Sequence, residues 1–408
     1  MPSKPAIELP PTPDFDSYPV SARIVAVAPE NRGRLLRLSW CDGRESLLHA
    51  IWLRDNASDE ENLNLETREQ YGDLTDLPEG VRIAEARVDA AGALEIAWTL
   101  GNVRSRFHPG WLYLHDYSNG RPEDVAEIEP LPWDAAALPE PPSYEGAAIL
   151  EDDRTLEAWL QAVWRHGIGR LRDVPAEAGM VARVAERIGP LRATNFGRIF
   201  DVKVQRGPGS NAYSTQALTP HTDLPTREYQ PGLQLLHCLR NASIGGRAIM
   251  VDGFTLAETI RRRDPQAYEA LTTIEWPWSN RAVDTDYRWR SPVIQLAPDG
   301  RVEELRVVPF LRAPLDLPFD QVEEAYRSLR VFFGTVADPA LQMRFDYRPG
   351  DLVMFDNRRV LHGREAYENS PDKSGGGERW LQGCYGEREE LLSRLRILAR
   401  QRRAAAEA

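Results

Sequence analysis

The chain has 408 residues, 42% hydrophobic and 27% charged, which is too apolar for disorder and enough for one large or two ordinary cores. Its 50 Lys and Arg against 62 Asp and Glu leave a net charge of −12, an acidic balance that excludes a broad nucleic-acid or anionic-membrane surface. Three scattered cysteines (Cys41, Cys238, Cys384) exclude a disulfide framework and a CxxC metal knuckle, and fit a reducing compartment.

The N-terminal MPSKPAIELPPTPDF lacks the basic and apolar regions of a signal peptide. No window approaches the ~18 uninterrupted apolar residues of a membrane span. A cytoplasmic protein that engages neither membrane nor nucleic acid is expected. The proline-rich first stretch predicts an extended arm. From there the pattern is short and β-like: RIVAVAPENRGRLLRLSWCDG and ALEIAWTLGNVRSRF alternate apolar and polar residues around turns, predicting a small β-rich domain over 18–118. Residues 119–147 (including RPEDVAEIEPLPWDAAALPEPPSYE) are rich in Pro and acids and read as a semi-rigid linker.

A second domain is expected over 148–408. DRTLEAWLQAVWRH places Leu156, Trp159, Leu160, Val163 and Trp164 on one face of a helix, with Asp153 or Thr155 available as cap. GIGRLR reads as a strand and Ala178 to Ile188 as a second helix. Short strands then dominate: VKVQ, GLQLLHCL, RAIMVDGF, RVEELRVVPF and MRFDYRPGDLVMFDNRRVLHG. Gln321 to Thr335 and Glu387 to Ala405 are helical. Many strands carrying polar residues on their loops predict a mainly β, jelly-roll core decorated by helices. No internal repeat or phosphate loop is present, since GSNAYSTQ and SGGGER lack the required context.

Chemistry concentrates in ALTPHTDLPTREYQ and MFDNRRVLHGREAY. On an extended segment, His221 and Asp223 leave the same face and can bind one ion. His362 supplies a third ligand from a distant strand. Two imidazoles and one carboxylate on one face of an octahedron leave three positions open, which suits non-haem Fe(II) holding a chelating co-substrate and O2. A lone HxD also fits a solvated salt bridge, and the same three ligands fit a zinc hydrolase or a non-catalytic binding protein. His237, set in LLHCL, reads as a core histidine hydrogen-bonded to backbone. His49, His108, His115 and His166 read as surface or capping residues.

WCDG and WLRDNA, then PHTDLP, PGLQLLHC, GGRAIMVDGF, PGDLVMFDNRRVLHGREAY and ERWLQGCYGEREELLSRLRIL, occur in this order over about residues 20–400. Together they resemble the γ-butyrobetaine dioxygenase and trimethyllysine dioxygenase family, TauD-like Fe(II)/2-oxoglutarate oxygenases. The resemblance implies a double-stranded β-helix (jelly-roll) catalytic domain behind a small β-rich N-terminal domain. It also implies a homodimer and a small-molecule substrate hydroxylated at an unactivated C–H, with release of succinate and CO2. It makes His221, Asp223 and His362 the iron ligands and Arg379 the partner of the distal carboxylate of 2-oxoglutarate. A guanidinium fork is suited to that anion. The spacing from His362 to Arg379 is lengthened by an SGGG insertion, and a surface ion pair is the other reading of Arg379.

Three departures from the family stand out. Ala57, Asp59 and Asn62 occupy the positions of a Cys-x-Cys-x2-Cys zinc site, so no structural zinc is expected. Ala248 stands where relatives place a Ser or Thr hydroxyl near 2-oxoglutarate. Tyr213 and Tyr385 match two positions of an aromatic cage for trimethylammonium. Arg192, however, aligns with a further aromatic, Ser210 with an asparagine that holds the betaine carboxylate, and VVPFLR lacks an expected asparagine pair. Facing the pocket, Arg192 would favour an anionic substrate (phosphonate, sulfonate or carboxylate) over a betaine, amino acid or related amine. Paired at the surface, it would say nothing. The leucines Leu391, Leu392, Leu395 and Leu398 mark the C-terminal helix as either an interface or a helix docked on the barrel.

Overall fold

A computed structural model describes residues 8–18, 21–101, 103–120, 128–204, 214–369 and 379–407. The chain forms two compact units, residues 1–124 with 399–408, and residues 125–398.

The first unit holds two three-stranded antiparallel sheets. One is β1 (Ile24–Glu30), β2 (Leu35–Trp40) and β3 (Glu45–His49). After α1 (Ala50–Asp55) comes the second, β4 (Ile83–Val88), β5 (Leu94–Trp98) and β6 (Arg104–Phe107), then α2 (Pro109–Leu114). Alternate residues Leu36, Leu38 and Trp40 of β2, and Leu94, Ile96 and Trp98 of β5, turn into one core, as a period of two requires. The three positions that the resemblance aligns with a zinc site are used otherwise. Ala57 is buried in that core, Asp59 accepts from Ser105 Oγ at 2.8 Å, and Asn62 Nδ2 donates to the Ala57 carbonyl at 2.8 Å. His108 caps α2, its Nδ1 accepting from the Gly110 N–H at 3.1 Å.

The second unit runs β7 (Ser143–Glu145), α3 (Asp153–His166), β8 (Ile168–Arg172), α4 (Met180–Glu186), β9 (Phe200–Val202), β10 (Leu218–His221), β11 (Leu233–Arg240), β12 (Ser243–Gly245) and β13 (Ala248–Asp252). It continues through α5 (Gly253–Arg263), α6 (Pro265–Thr273), β14 (Trp276–Arg281), β15 (Asp286–Ser291), β16 (Ile294–Leu296), β17 (Val302–Leu305) and α7 (Val322–Val336). It closes with β18 (Gln342–Phe345), β19 (Leu352–Asp356), β20 (Val360–Arg364), β21 (Tyr367–Asn369), β22 (Trp380–Gly386) and the start of α8 (Arg388–Glu407).

Two sheets make the framework, a six-stranded one in the order β7-β8-β19-β11-β22-β9 and a four-stranded one in the order β10-β20-β13-β18. Met250, Met343 and Val360 from the smaller sheet share a buried cluster with Cys238, Val353, Phe355 and Leu381 from the larger, so the sheets pack face to face as a double-stranded β-helix. Helices cover both outer faces, and that is why β19 is buried along its whole length and β11 along nearly all of it. Leu233 and Leu235 of β11 turn outward to α3, α4 and α8, while α5, α6 and α7 pack beyond Val251 and Leu361. Leu391, Leu395 and Leu398 of α8 are buried in the first of these layers, which settles that face of the helix as docked.

The structure differs from the sequence reading in three places. Residues 131–145 are not a linker: Trp133 is 3% exposed, its N–H donates to Asp252 Oδ2 at 2.8 Å, and β7 pairs in parallel with β8. The prolines shape an extended path over the unit, but the buried tryptophan fixes that path. Helix α3 is capped one residue early, by Asp152, whose carboxylate accepts from the Arg154 and Thr155 N–H groups. The strand read through Phe254 stops at Asp252, which caps α5, and Asp264 with Pro265 starts α6.

Candidate active site

The end of β10 lies against β20, with His221 directly opposite His362 in the ladder. This close approach depends on Gly363, where a Cβ would sit 2.4 Å from the Leu218 carbonyl oxygen. The chain then leaves the sheet. Thr222 exchanges hydrogen bonds with the backbone of Val307, and the buried Asn357 clamps Asp223 from both sides: the Asp223 N–H donates to Asn357 Oδ1 at 2.7 Å, and Asn357 Nδ2 donates to the Asp223 carbonyl at 3.0 Å. Leu224 follows at a φ of 56°, a left-handed conformation that a γ-branched residue adopts only when its surroundings impose it.

Held this way, the three side chains meet. Asp223 Oδ1 lies 3.3 Å from His221 Nε2 and 3.7 Å from His362 Nε2, and the ligand atoms all lie within 4.8 Å of one another. His221 Nδ1–H donates to the Thr219 carbonyl at 2.8 Å, which turns Nε2 toward the centre. Burial pushes His362 down to about 3, so its imidazole is neutral at pH 7. Burial also opposes ionisation of Asp223, but the two imidazoles and the Tyr385 hydroxyl outweigh it and hold the carboxyl well below the ordinary carboxylate range. Two imidazoles and one carboxylate converging this closely are a donor set for a divalent transition metal. Among the described residues no other group of His, Cys, Asp and Glu meets this condition.

The cluster opens on a cavity of about 630 Å³ between the sheets. Tyr385 and Arg379 both line it, at opposite ends of β22. The Tyr385 hydroxyl donates to Asp223 Oδ2 at 2.7 Å, and its ring centroid lies 5.0 Å from that of Phe200. Phe196 and Phe310 add aromatic surface to the same cavity. Arg379 is 4% exposed, no carboxylate of a described residue pairs with it, and its guanidinium lies 5.4 Å from the Tyr367 ring. A buried guanidinium in this condition is a ready site for an anion. Arg364, two residues beyond His362 on β20, also lines the cavity and donates to the Gln216 carbonyl at 3.3 Å, holding the approach to β10.

Arg192 is a correction. Its backbone bridges Tyr385, but its guanidinium turns away from the cavity to Glu387 at 2.5 Å and to the Tyr229 carbonyl. The Glu387 carboxylate, two residues beyond Tyr385, was enough to claim it. Tyr213, Ser210 and the SGGG insertion lie outside the described residues. His237 is a core residue as expected, fully buried beside the Val174 backbone. The sequence reading missed Asn357, Phe196 and Phe200. Asn357 alone left a signal, an asparagine in the tight D-N-R-R turn ahead of the metal-ligating strand.

Two sheets closed around a His, Asp, His cluster define a metal-dependent oxygenase of the double-stranded β-helix class. Residues 127–385 match the model of the taurine catabolism dioxygenase TauD, TfdA family. The chain is 38% identical over 396 residues to a γ-butyrobetaine dioxygenase of Pseudomonas sp. (strain AK-1), covering 95% of this chain and 99% of that enzyme. It is 30% identical over 378 residues to the γ-butyrobetaine dioxygenase of Homo sapiens (90% and 95%), and 28% identical over 361 residues to the mitochondrial trimethyllysine dioxygenase of Homo sapiens (86% and 82%). The chain belongs to the TauD, TfdA dioxygenase family, in the branch of the γ-butyrobetaine and trimethyllysine dioxygenases.

Proposed function

We propose that the protein is an Fe(II)- and 2-oxoglutarate-dependent dioxygenase that hydroxylates an unactivated C–H of a small betaine or related amine. The observation that carries this reading is the pairing, in one cavity, of a three-ligand facial cluster with a buried arginine that has no carboxylate partner. His221, Asp223 and His362 would hold the iron, and Arg379 the distal carboxylate of 2-oxoglutarate. When bound, the iron, 2-oxoglutarate and O2 supply oxidative decarboxylation to succinate and CO2 together with oxygen insertion into the substrate.

The chain's own residues orient and exclude. Asn357 and Tyr385 fix the Asp223 carboxylate, one through its backbone and the other through Oδ2. Leu236, Met250 and Leu381 line the cavity and keep water from the reacting centre. Tyr385 and Phe200 present aromatic faces that attract a quaternary ammonium. Arg192, turned away to Glu387, offers no charge that would favour a purely anionic substrate. Arg281 and Arg312 in the cavity wall supply positive charge for the carboxylate that a betaine carries at its other end.

Anaerobically purified, iron-loaded protein given 2-oxoglutarate, O2 and a panel of γ-butyrobetaine, trimethyllysine, taurine and small phosphonates tests this. Succinate formation coupled to hydroxylation of a betaine or methylated amine is expected. Coupling to taurine or a phosphonate alone would overturn the substrate reading, and tight zinc with no 2-oxoglutarate consumption would overturn the reaction. The homodimer and the cytoplasmic setting rest on the family analogy and the cysteine usage, and light scattering of the full chain tests the first.

A further inference from the structure

Building on the co-substrate reading above, we propose that the Tyr347 hydroxyl, and no group at position 248, donates a hydrogen bond to the distal carboxylate of 2-oxoglutarate beside Arg379. Ala248 of β13 sits between Arg364 of β20 and Phe345 of β18 in the ladder, and its methyl group offers that carboxylate nothing. Tyr347 follows Phe345 by two residues, on the side of Arg364 away from the metal ligands, since Met343 of β18 and His362 of β20 both pair with Met250.

Tyr347 is 4% exposed and lines the cavity, and its hydroxyl has no hydrogen-bond partner among the described residues. A phenol desolvated without an acceptor is costly, so a group in this position marks an acceptor that the described residues do not supply. Arg379 identifies that acceptor's chemistry. It lines the same cavity, is equally buried, and leaves Nε without a partner. A buried cation and a buried neutral hydroxyl, both donors and both lacking acceptors, together call for an anion with two acceptor oxygens. Burial raises the Tyr347 ionisation far above neutrality despite the opposing charge of Arg379, so the group stays a donor throughout the working range. A carboxylate held at one end by the metal and at the other by Arg379 and Tyr347 would satisfy both.

The test is anaerobic calorimetric titration of 2-oxoglutarate into iron-loaded full-length protein, with thermal unfolding measured before and after addition. Tyr347→Phe is expected to raise the Kd for 2-oxoglutarate about tenfold while leaving Fe(II) affinity unchanged. The co-substrate-free variant should unfold at the same or a higher temperature than wild type, because the substitution removes an unsatisfied group. Adding Ala248→Ser to Tyr347→Phe should recover part of the lost affinity. A Kd within twofold of wild type for Tyr347→Phe, when Arg379→Ala weakens binding strongly, would overturn the role of Tyr347 alone. A lower unfolding temperature for the co-substrate-free Tyr347→Phe protein would overturn it in favour of a structural hydroxyl. Unchanged affinity in both Tyr347→Phe and Arg379→Ala would overturn the co-substrate reading itself.

Discussion

The Tyr385 hydroxyl donates to Asp223 Oδ2 at 2.7 Å, so one carboxylate oxygen is tethered while the other faces the two imidazoles. A residue placed by sequence in the substrate wall therefore also orients the carboxylate of the His, Asp, His cluster. Tyr385→Phe keeps the ring against Phe200 and removes the tether. Fe(II) affinity is expected to fall about tenfold, with a smaller effect on substrate KM, as read by anaerobic iron titration and steady-state kinetics. Unchanged iron affinity would confine Tyr385 to the substrate wall.

His221→Ala, Asp223→Ala and His362→Ala should each abolish 2-oxoglutarate turnover, because two ligands cannot hold the ion facially. Succinate formation, bound iron and circular dichroism on each purified variant check this. Wild-type-like turnover in any folded variant would remove that residue from the cluster.

Arg192 pairs with Glu387 at the rim, where side-chain exposures of 24% and 20% let water screen the charges. Arg192→Ala is expected to cost at most about 1 kcal/mol of stability and to leave substrate KM within twofold. A tenfold KM change would return the guanidinium to the cavity.

His237 is fully buried, and burial, opposed only in part by a hydrogen bond with the Val174 backbone, pushes it down to about 4. An unfolded histidine titrates near 6.5. Between about 6.5 and 4 the unfolded chain therefore takes up a proton that the fold refuses, so stability is complete above 6.5 and falls as pH drops through this window. The loss is on the order of 3 kcal/mol at the low end. Denaturant unfolding across that range should show the slope, and His237→Phe should flatten it. An equal slope in the variant would assign the acid sensitivity elsewhere.

Much of the site was legible because its chemistry is local. His221 and Asp223 share a face by strand geometry, and the β-rich layout with helix α3 followed from periodicity alone. Arg192 stayed open between pocket and surface because aligned position does not fix orientation, and a charged side chain follows the carboxylate within reach, here Glu387. Trp133 misled because proline content was weighed above one large apolar side chain that the fold could bury. Asn357 left only its place in a tight turn and Tyr347 left nothing, since neither a backbone clamp nor an unsatisfied hydroxyl exists before the chain is closed.

The amino-acid order by itself determined which groups were present, which strands were apolar on both faces, and that a His-x-Asp pair and a distant His-Gly-Arg offered ligands of matching chemistry. Only the tertiary structure decided that they meet. β20 had to return beside β10 across the whole barrel, through the contact that Gly363 permits, before His362 could stand opposite His221. The reason is physical: side-chain periodicity is set by the local backbone, whereas convergence is set by which sheets bury each other's faces.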